Sequence, residues 1–354
     1  MLTFHPLELV DRHPVAEDAV CLVFRAPAGL EESYRFEAGQ HLAVRALLGG
    51  RELRRTYSIV SPAGDGLRIG VRVQGEMSRF LAVELPIGAT LEALAPTGRF
   101  KPAPNSGQRR RYVALAAGSG ITPVLSIVST LLASEPTSEV LLVYGNRSMA
   151  RTMFLEELYA LKNRYIGRLT LQFLMSREPQ DVEIFNGRLD GPRLRELART
   201  EFDPGQVDEY FICGPGSMVK ELTATLKDLG ATGKIHVERF AVDAPAADAM
   251  MPSGTSMGAV TTGTEIAVTM DGRRRSFALT GTQTLLEAGE AAGLALPYSC
   301  RAGVCSTCRA KVVEGTVAMA RNQALEDWEV QAGFVLCCQA RPTSARVEIS
   351  YDEK

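Results

Sequence analysis

The sequence predicts a multidomain chain: an antiparallel β-barrel, then a doubly wound α/β domain on a parallel sheet, then a small α+β domain. Three observations predict it. Up to about residue 103, short β-prone runs alternate with glycine and proline turns; from Arg111, apolar runs alternate with amphipathic helical patterns; near the end, four cysteines stand at a distinctive spacing. The length of 354 residues agrees with two or three domains at roughly 100 to 200 residues each. The expected limits are 1–103 for the barrel, 104–242 for the sheet domain, 243–262 for a linker and 263–354 for the tail domain.

In the barrel, strands are expected at 19–25, 41–47, 53–59, 67–73 and 90–94, parted by turns at Gly39, Gly49-Gly50, Gly64-Asp65-Gly66 and 86–88. A short helix at 79–84 is expected, capped by Ser78. In the sheet domain, strands at 112–117, 139–144, 169–175, 208–213 and 234–239 alternate with helices at 123–134, 151–163, 191–199 and 216–229, the pattern of a parallel sheet. Residues 241–264 hold little besides small residues, Pro, Met and Val, with Asp243 and Asp248 the only charges, which suits a linker. As a flexible coil of about 20 residues it would span roughly 25 Å, enough for the tail domain to move between two docking positions. In the tail, Met270-Asp271-Gly272 is expected to turn a hairpin, and 284–292 to form a helix ending near Gly293.

Composition excludes several classes of function. Hydrophobic residues are 45% and charged residues 23%, values of an ordinary folded chain rather than a disordered one. Lys plus Arg number 39 against 41 Asp plus Glu, so no basic field points to nucleic acid. The start lacks a basic region leading into an apolar core, and the longest apolar stretch, 112–133, is broken by Gly118, Gly120 and Pro123. The expectation is a cytoplasmic protein without a membrane partner.

The strongest motif is Cys300-x4-Cys305-x2-Cys308 with Cys338 far downstream, the plant-type spacing for a [2Fe–2S] cluster. Gly303 lets the backbone approach, while Ser299, Arg301, Ser306 and Thr307 supply polar groups and amides. Structural zinc and a set of free thiols are the alternatives. Cys337 competes with Cys338; alternation along a strand at 334–339 would turn only one of them to the metal, and Cys338 is taken.

In the barrel, Arg55-Thr56-Tyr57-Ser58 ends a strand, with Arg55 and Tyr57 on one face. Such a set offers a ring to cover a flavin, a guanidinium for a pyrophosphate and a hydroxyl for the flavin's polar edge. Gly75-Glu76-Met77-Ser78 adds helix-terminal amides for the same pyrophosphate. In the sheet domain, Gly118-Ser119-Gly120-Ile121-Thr122-Pro123 follows the first strand, with Thr122 as helix cap. Pro123 stands where the dinucleotide fingerprint has its third glycine. Further loops leave the carboxyl ends of strands at Gly145-Asn146-Arg147, Ser176-Arg177-Glu178 and Cys213-Gly214-Pro215-Gly216. Ligands bind along that edge of such sheets. Arg147 and Arg177 with Ser176 suit a 2′-phosphate, hence NADP over NAD. Cys213 reads as a nicotinamide neighbour or a plain buried residue, and Phe240 as a flavin neighbour or core. Trp328, on a short helix, reads as core of the tail domain.

Together these motifs resemble the ferredoxin–NADP reductase superfamily in its fused oxygenase-reductase form. Within it the chain is most similar to the reductase subunits of phenylacetyl-CoA epoxidases. That likeness rests on YGNRS and MFLEELYALKNRY (144–148 and 153–165), SREPQDVEIFNGRLDG (176–191), HVERF (236–240), CRAGVCSTCRAKVVEG (300–315) and NQALEDWEVQAGFVLCCQA (322–340). It covers the whole chain except the linker. The resemblance implies a plant-type ferredoxin tail of the β-grasp fold and FAD on Arg55, Thr56, Tyr57 and Ser58 with Val73, Gly75, Met77 and Ser78. It implies nicotinamide nucleotide at Gly118, Ser119, Gly120, Ile121 and Thr122 and at Cys213, Gly214, Pro215 and Met218. The cluster it implies lies on Cys300, Cys305, Cys308 and Cys338. The chain departs from the pattern at Gln323, where an aromatic is common, at Cys337, where Thr or Ser is common, and in its Met- and Gly-rich linker.

The implied activity is electron transfer from NADPH to FAD, to the cluster and on to an oxygenase component, that of phenylacetate degradation first and another oxygenase second. NADPH gives two electrons together and a [2Fe–2S] centre takes one, so the flavin must stand between them, and no side chain need act as nucleophile or base. A rival of another class is a relay subunit fed by a partner protein; the complete set of nicotinamide loops argues against it.

Overall fold

The structure is a computed structural model that describes residues 3–240, 263–279 and 281–353. The expected linker, 243–262, lies outside the described residues. The chain divides into two compact units, one holding 4–240 and the other 263–353.

The first unit opens with six antiparallel strands: β1 (His5–Ala16), β2 (Ala19–Arg25), β3 (His41–Leu48), β4 (Arg51–Ser58), β5 (Leu67–Arg72) and β6 (Thr90–Ala93). Their order is β4-β3-β6-β1-β2-β5, and an antiparallel bridge between Ile59 and Ile69 brings the two edges together. A barrel removes both exposed edges in this way. The sequence reading found five of these strands and missed β1. Pro6 and Pro14 interrupt its β-forming pattern, and register shifts at Leu9/Asp11 and Pro14/Ala16 break its alternation. Pairing with β2 and β6 on its two sides overrides the weak local signal.

The expected helix at 79–84 begins earlier. Helix α1 (Glu76–Arg79) has Gly75 at its N-cap and runs directly into a π-helical turn, Phe80–Glu84. Ser78 is therefore inside the helix rather than capping it. Its hydroxyl accepts from the N–H groups of Gln74 and Gly75, both at 2.9 Å, and so fixes the turn that leads in.

Five parallel strands follow: β7 (Arg111–Ala117), β8 (Glu139–Asn146), β9 (Leu169–Met175), β10 (Glu209–Pro215) and β11 (Lys234–Phe240), in the order β11-β10-β7-β8-β9. Helices α2 (Ile121–Ser134), α3 (Leu155–Arg164), α4 (Gly191–Thr200) and α5 (Gly216–Asp228) connect them. Helix α2 starts two residues before the expected position, on Gly120, so Thr122 is not its cap; the Thr122 hydroxyl donates to the Ser119 carbonyl at 2.9 Å instead. Residues on every side of α2 are buried, because sheet and barrel enclose it between them. One core spans both, joining Ala19, Cys21, Val60 and Phe100 of the barrel part to Ile121, Leu125, Val128 and Phe211. Barrel and sheet are thus a single rigid frame for anything bound between them.

The second unit holds β12 (Thr264–Met270) and β13 (Arg273–Leu279), joined by the expected two-residue turn, then α6 (Leu285–Ala291), β14 (Arg309–Glu314), β15 (Val317–Met319), α7 (Asp327–Gln331), β16 (Phe334–Leu336), β17 (Ala340–Pro342) and β18 (Arg346–Ser350). Its main sheet runs β13-β12-β18-β14-β16, with β12 and β18 parallel. A reciprocal box between Thr284 and Glu287 starts α6. Two expectations fail here. Trp328 is not core: it is 57% exposed, with its indole N–H donating to Glu326 at 2.7 Å. The strand expected over 334–339 stops at Leu336, and Cys337 and Cys338 lie in the turn beyond it.

Candidate functional site: nucleotide crevice and cysteine loop

The sheet order fixes where a nucleotide fits. From β7 the chain steps outward to β8 and β9, then returns to lay β10 on the other side of β7, so the switch point lies between β7 and β10. The segment Gly118–Gly120 leaves β7 there, and Pro215 and Gly216 leave β10. A Cβ on Gly120 would stand 2.2 Å from the Cys213 carbonyl oxygen, so only glycine lets the two loops meet. Gly118 accepts the Tyr144 hydroxyl at 2.8 Å, and Met218 lays its methyl against Gly214. Ile121 and Thr122 are buried in the first turn of α2, while Ser119 stays half-open.

On the neighbouring strands, Arg177 N–H donates to Arg147 O and Ser176 N–H to Asn146 O, both at 2.9 Å. This places the two arginines on adjoining loops, both exposed, with Ser176 between them and the sheet.

The barrel brings its RTYS segment to the same crevice. Tyr57 is half-buried against the barrel core, Arg55 is exposed, Thr56 is half-exposed, and Ser58 is buried at the end of β4. The Ser58 hydroxyl donates to Glu238 Oε2 at 3.3 Å, and the Cys213 thiol lies 3.9 Å from the same oxygen. The two loops singled out separately from sequence therefore converge on one buried carboxyl. His41 Nδ1 stands 3.9 Å from its other oxygen, and His41 Nε2 is 3.4 Å from the Thr97 hydroxyl. Burial pushes the Glu238 carboxyl up to about 7, drives the Cys213 thiol well above its usual range and pulls His41 down to about 4. At neutral pH the imidazole is uncharged, so Glu238 has no cationic partner in His41. Phe240 pairs with Pro215 and packs half-buried against the shared core.

Sequence reading missed Glu238 and His41 as site residues, and Arg72 with them. Glu238 is opposite Cys213 in the parallel register of β10 and β11, a relation that appears only once those strands pair. Arg72 ends β5, bound to Asp18 at 3.2 Å and to the Arg151 carbonyl at 2.8 Å, and its buried Nε has no partner. The α1 N-terminus, with its first-turn amides, fits a flavin pyrophosphate, and the close approach of Gly120 to Cys213 fits a dinucleotide at the switch point. Met77 contributes only backbone there, since its side chain is 2% exposed in the barrel core; Val73 is exposed just beyond β5, and Gly75 caps α1.

A pH prediction follows from Glu238. Its carboxyl is raised from 4.5 unfolded to about 7 folded, so the stabilisation from its protonated form is complete below about pH 4.5 and lost as pH rises through 7. The unfolding free energy of the wild type, measured by denaturant titration, should therefore fall relative to Glu238→Gln between pH 5 and pH 8, by up to about 3 kcal/mol. Parallel curves for the two proteins would show that Glu238 is already ionised at pH 5.

In the second unit the four cysteine sulfurs fall into two pairs. Cys300 stands beside Cys305, and Cys308 beside Cys338. The Ala302 N–H donates to Cys300 Sγ at 3.4 Å and the Gln339 side-chain amide to Cys338 Sγ at 3.7 Å. The neighbouring Cys305 thiol pulls Cys300 down to about 6. Gly303, with φ of 74°, is needed because a Cβ would press to 3.0 Å on the Arg321 carbonyl and on Gln339. The Thr307 hydroxyl, near Cys305, is buried with no hydrogen-bond partner. Two neighbouring cysteine pairs with amide donors beside them fit a [2Fe–2S] cluster. Cys337 is fully buried beside Tyr351.

Three family models match in series: an oxidoreductase FAD-binding domain over residues 6–101, an oxidoreductase NAD-binding domain over 114–223 and a 2Fe-2S iron-sulfur cluster binding domain over 268–343. The chain belongs to the ferredoxin–NADP reductase-like family of fused reductases, and is an NAD(P)H-dependent oxidoreductase with FAD and a [2Fe–2S] cluster. It is 40% identical to a subunit of the 1,2-phenylacetyl-CoA epoxidase of Escherichia coli, over 100% of this chain and 99% of that one. It is 33% identical to the 3-ketosteroid-9-alpha-monooxygenase ferredoxin reductase component of Mycolicibacterium smegmatis, over 99% and 98%. Among solved structures, phthalate dioxygenase reductase shares the fold with a TM-score of 0.57 at 22% identity, covering 98% of both chains. An intact type IV self-sufficient cytochrome P450 monooxygenase does so with a TM-score of 0.68 at 23% identity, over 98% of this chain and 41% of that one. No helix among the described residues is long and apolar enough to cross a membrane.

Proposed function

We propose that this chain takes electrons from NADPH in preference to NADH and delivers them, in the cytoplasm, to the oxygenase component of a phenylacetyl-CoA epoxidase. The observation that carries the reductase part is the meeting of Ser58, Cys213 and Glu238, which makes the barrel's flavin segment and the sheet's nicotinamide loop two walls of one crevice. The whole-length likeness to a component of such an epoxidase supports the partner.

Bound FAD supplies the exchange between a two-electron donor and a one-electron acceptor. The residues do the rest. Arg55 and the first-turn amides of α1 would hold the flavin pyrophosphate, Tyr57 would pack on the ring, and Thr56 and Ser58 would hydrogen-bond its polar edge. The loops at 118–122 and 213–218 would hold the nicotinamide nucleotide, with Cys213 and Glu238 at the nicotinamide end. Arg147, Ser176 and Arg177 hold the 2′-phosphate. Cys300, Cys305, Cys308 and Cys338 hold the cluster, in a domain spanning 263–354 beyond the 1–103 and 104–242 domains.

Arg177→Ala should weaken NADPH by roughly ten- to a hundredfold, the value of one charge-assisted contact of about 1.5–3 kcal/mol, and leave NADH nearly unchanged. Equal losses for both nucleotides in steady-state kinetics would remove Arg177 from the phosphate site. The partner is tested by reconstitution: NADPH oxidation coupled to product with the phenylacetyl-CoA epoxidase oxygenase component supports the reading. Coupling only with another oxygenase, such as a ketosteroid monooxygenase, would overturn it.

A further inference from the structure

Tyr144, the first residue of the YGNRS segment, is fully buried in β8, opposite Ala116 of β7 and Phe173 of β9, with its ring 6.2 Å from that of Phe173. Burial pushes its phenol well above the usual range, so at neutral pH the hydroxyl is protonated and donates. Its acceptor is the Gly118 carbonyl, at 2.8 Å. Gly118 has φ of 55°, and nothing lies within 4 Å of the place a Cβ would take, so backbone conformation rather than space calls for glycine there. A glycine lets the peptide that follows it turn at little cost, and the loop's own hold on that peptide is divided. Ile121 N–H is shared between the carbonyls of Gly118 and Ser119. The Ser119 carbonyl has a second donor in the Thr122 hydroxyl at 2.9 Å, and the tyrosine is the corresponding donor for Gly118.

We propose that Tyr144 is a positioning residue for the nicotinamide nucleotide, its hydroxyl holding the Gly118–Ser119 peptide so that the Ser119 N–H faces the nucleotide. The inference rests on the assignment of 118–122 as a nucleotide loop. The carbonyl and the N–H of a planar trans peptide point in opposite directions, so a carbonyl drawn to a hydroxyl in the core turns the Ser119 N–H away from the core, where Ser119 is half-open. Amides in the turn that starts a helix lack an acceptor in the helix itself and favour anionic oxygens. Being fully buried, Tyr144 acts only through this peptide. Arg147 and Arg177 are on other loops, so loosening the peptide weakens NADPH and NADH alike.

The test is anaerobic stopped-flow reduction of the flavin in the full chain, FAD and cluster bound, at rising NADPH and separately at rising NADH. Tyr144→Phe keeps the ring against Phe173 and removes only the hydroxyl. The half-saturating concentration should rise about tenfold for both nucleotides, the value of one hydrogen bond to a charged group, while the limiting rate stays within about twofold of the wild type. FAD and iron content should be unchanged. Half-saturating concentrations within twofold of the wild type for both nucleotides overturn the proposal, as does a loss confined to NADPH or seen in the limiting rate alone. Loss of FAD from Tyr144→Phe overturns it too, by making the tyrosine part of the frame. Failure of the loop assignment would look different: Gly120→Val, which forces the same loop from Cys213, would then also leave reduction by both nucleotides unchanged.

Discussion

Cys338→Ser is expected to abolish the iron–sulfur cluster, taking iron and acid-labile sulfide to background, whereas Cys337→Ser keeps both. The two residues are adjacent, yet they have different neighbours: Cys338 stands beside Cys308 and accepts from the Gln339 amide at 3.7 Å, while Cys337 is fully buried beside Tyr351. A serine at 338 leaves the Cys308 side of the pair with one thiolate, and a hydroxyl does not replace a thiolate as a soft ligand. Flavin reduction by NADPH should persist, because the crevice lies wholly in the other unit. Normal iron content in Cys338→Ser would remove that residue from the ligand set.

Gly120→Val is expected to slow reduction of the flavin by NADPH roughly a hundredfold, with iron and sulfide content unchanged. Even a Cβ at this position falls 2.2 Å from the Cys213 carbonyl oxygen and 3.0 Å from Gly214 N, backbone atoms that cannot rotate aside. The loops must part, and Cys213 and Glu238 move relative to the nicotinamide site; displacement on the order of 1 Å is enough for such a loss. Stopped-flow reduction at saturating NADPH measures it. A rate within threefold of the wild type would show that the approach of these two loops does not orient the nucleotide.

The elements of the sheet domain were legible because each carries its own pattern: apolar strand, turn, amphipathic helix. Strand β1 was not, since two prolines and two register shifts disguise it and only pairing on both sides makes it a strand. Ser78 and Thr122 looked like helix caps because their residue types favour that position; the helices instead start on Gly75 and Gly120, and both hydroxyls bond back to the preceding turn. Trp328 shows the limit of residue type in the other direction, its polar edge satisfied by Glu326 at the surface. The cysteine motif was readable from spacing alone, but the argument from strand alternation for Cys338 rested on a strand that ends two residues earlier. Glu238 had no local signal. Its role follows from β11 lying beside β10 and the barrel lying against both, relations between segments about 25 and 180 residues apart.

The most direct test of the account is to mix the purified chain, FAD and cluster bound, with NADPH alone under anaerobic conditions and follow both chromophores. The crevice and the cysteine loop belong to one polypeptide, so no other protein is needed to bring electrons in. The account predicts that the flavin bleaches first and the cluster absorbance follows, in the absence of any partner. If neither chromophore bleaches until a second electron-donating protein is added, the chain is a relay fed from outside and the nicotinamide crevice assigned to Gly118–Gly120, Cys213 and Glu238 is not a site of reduction.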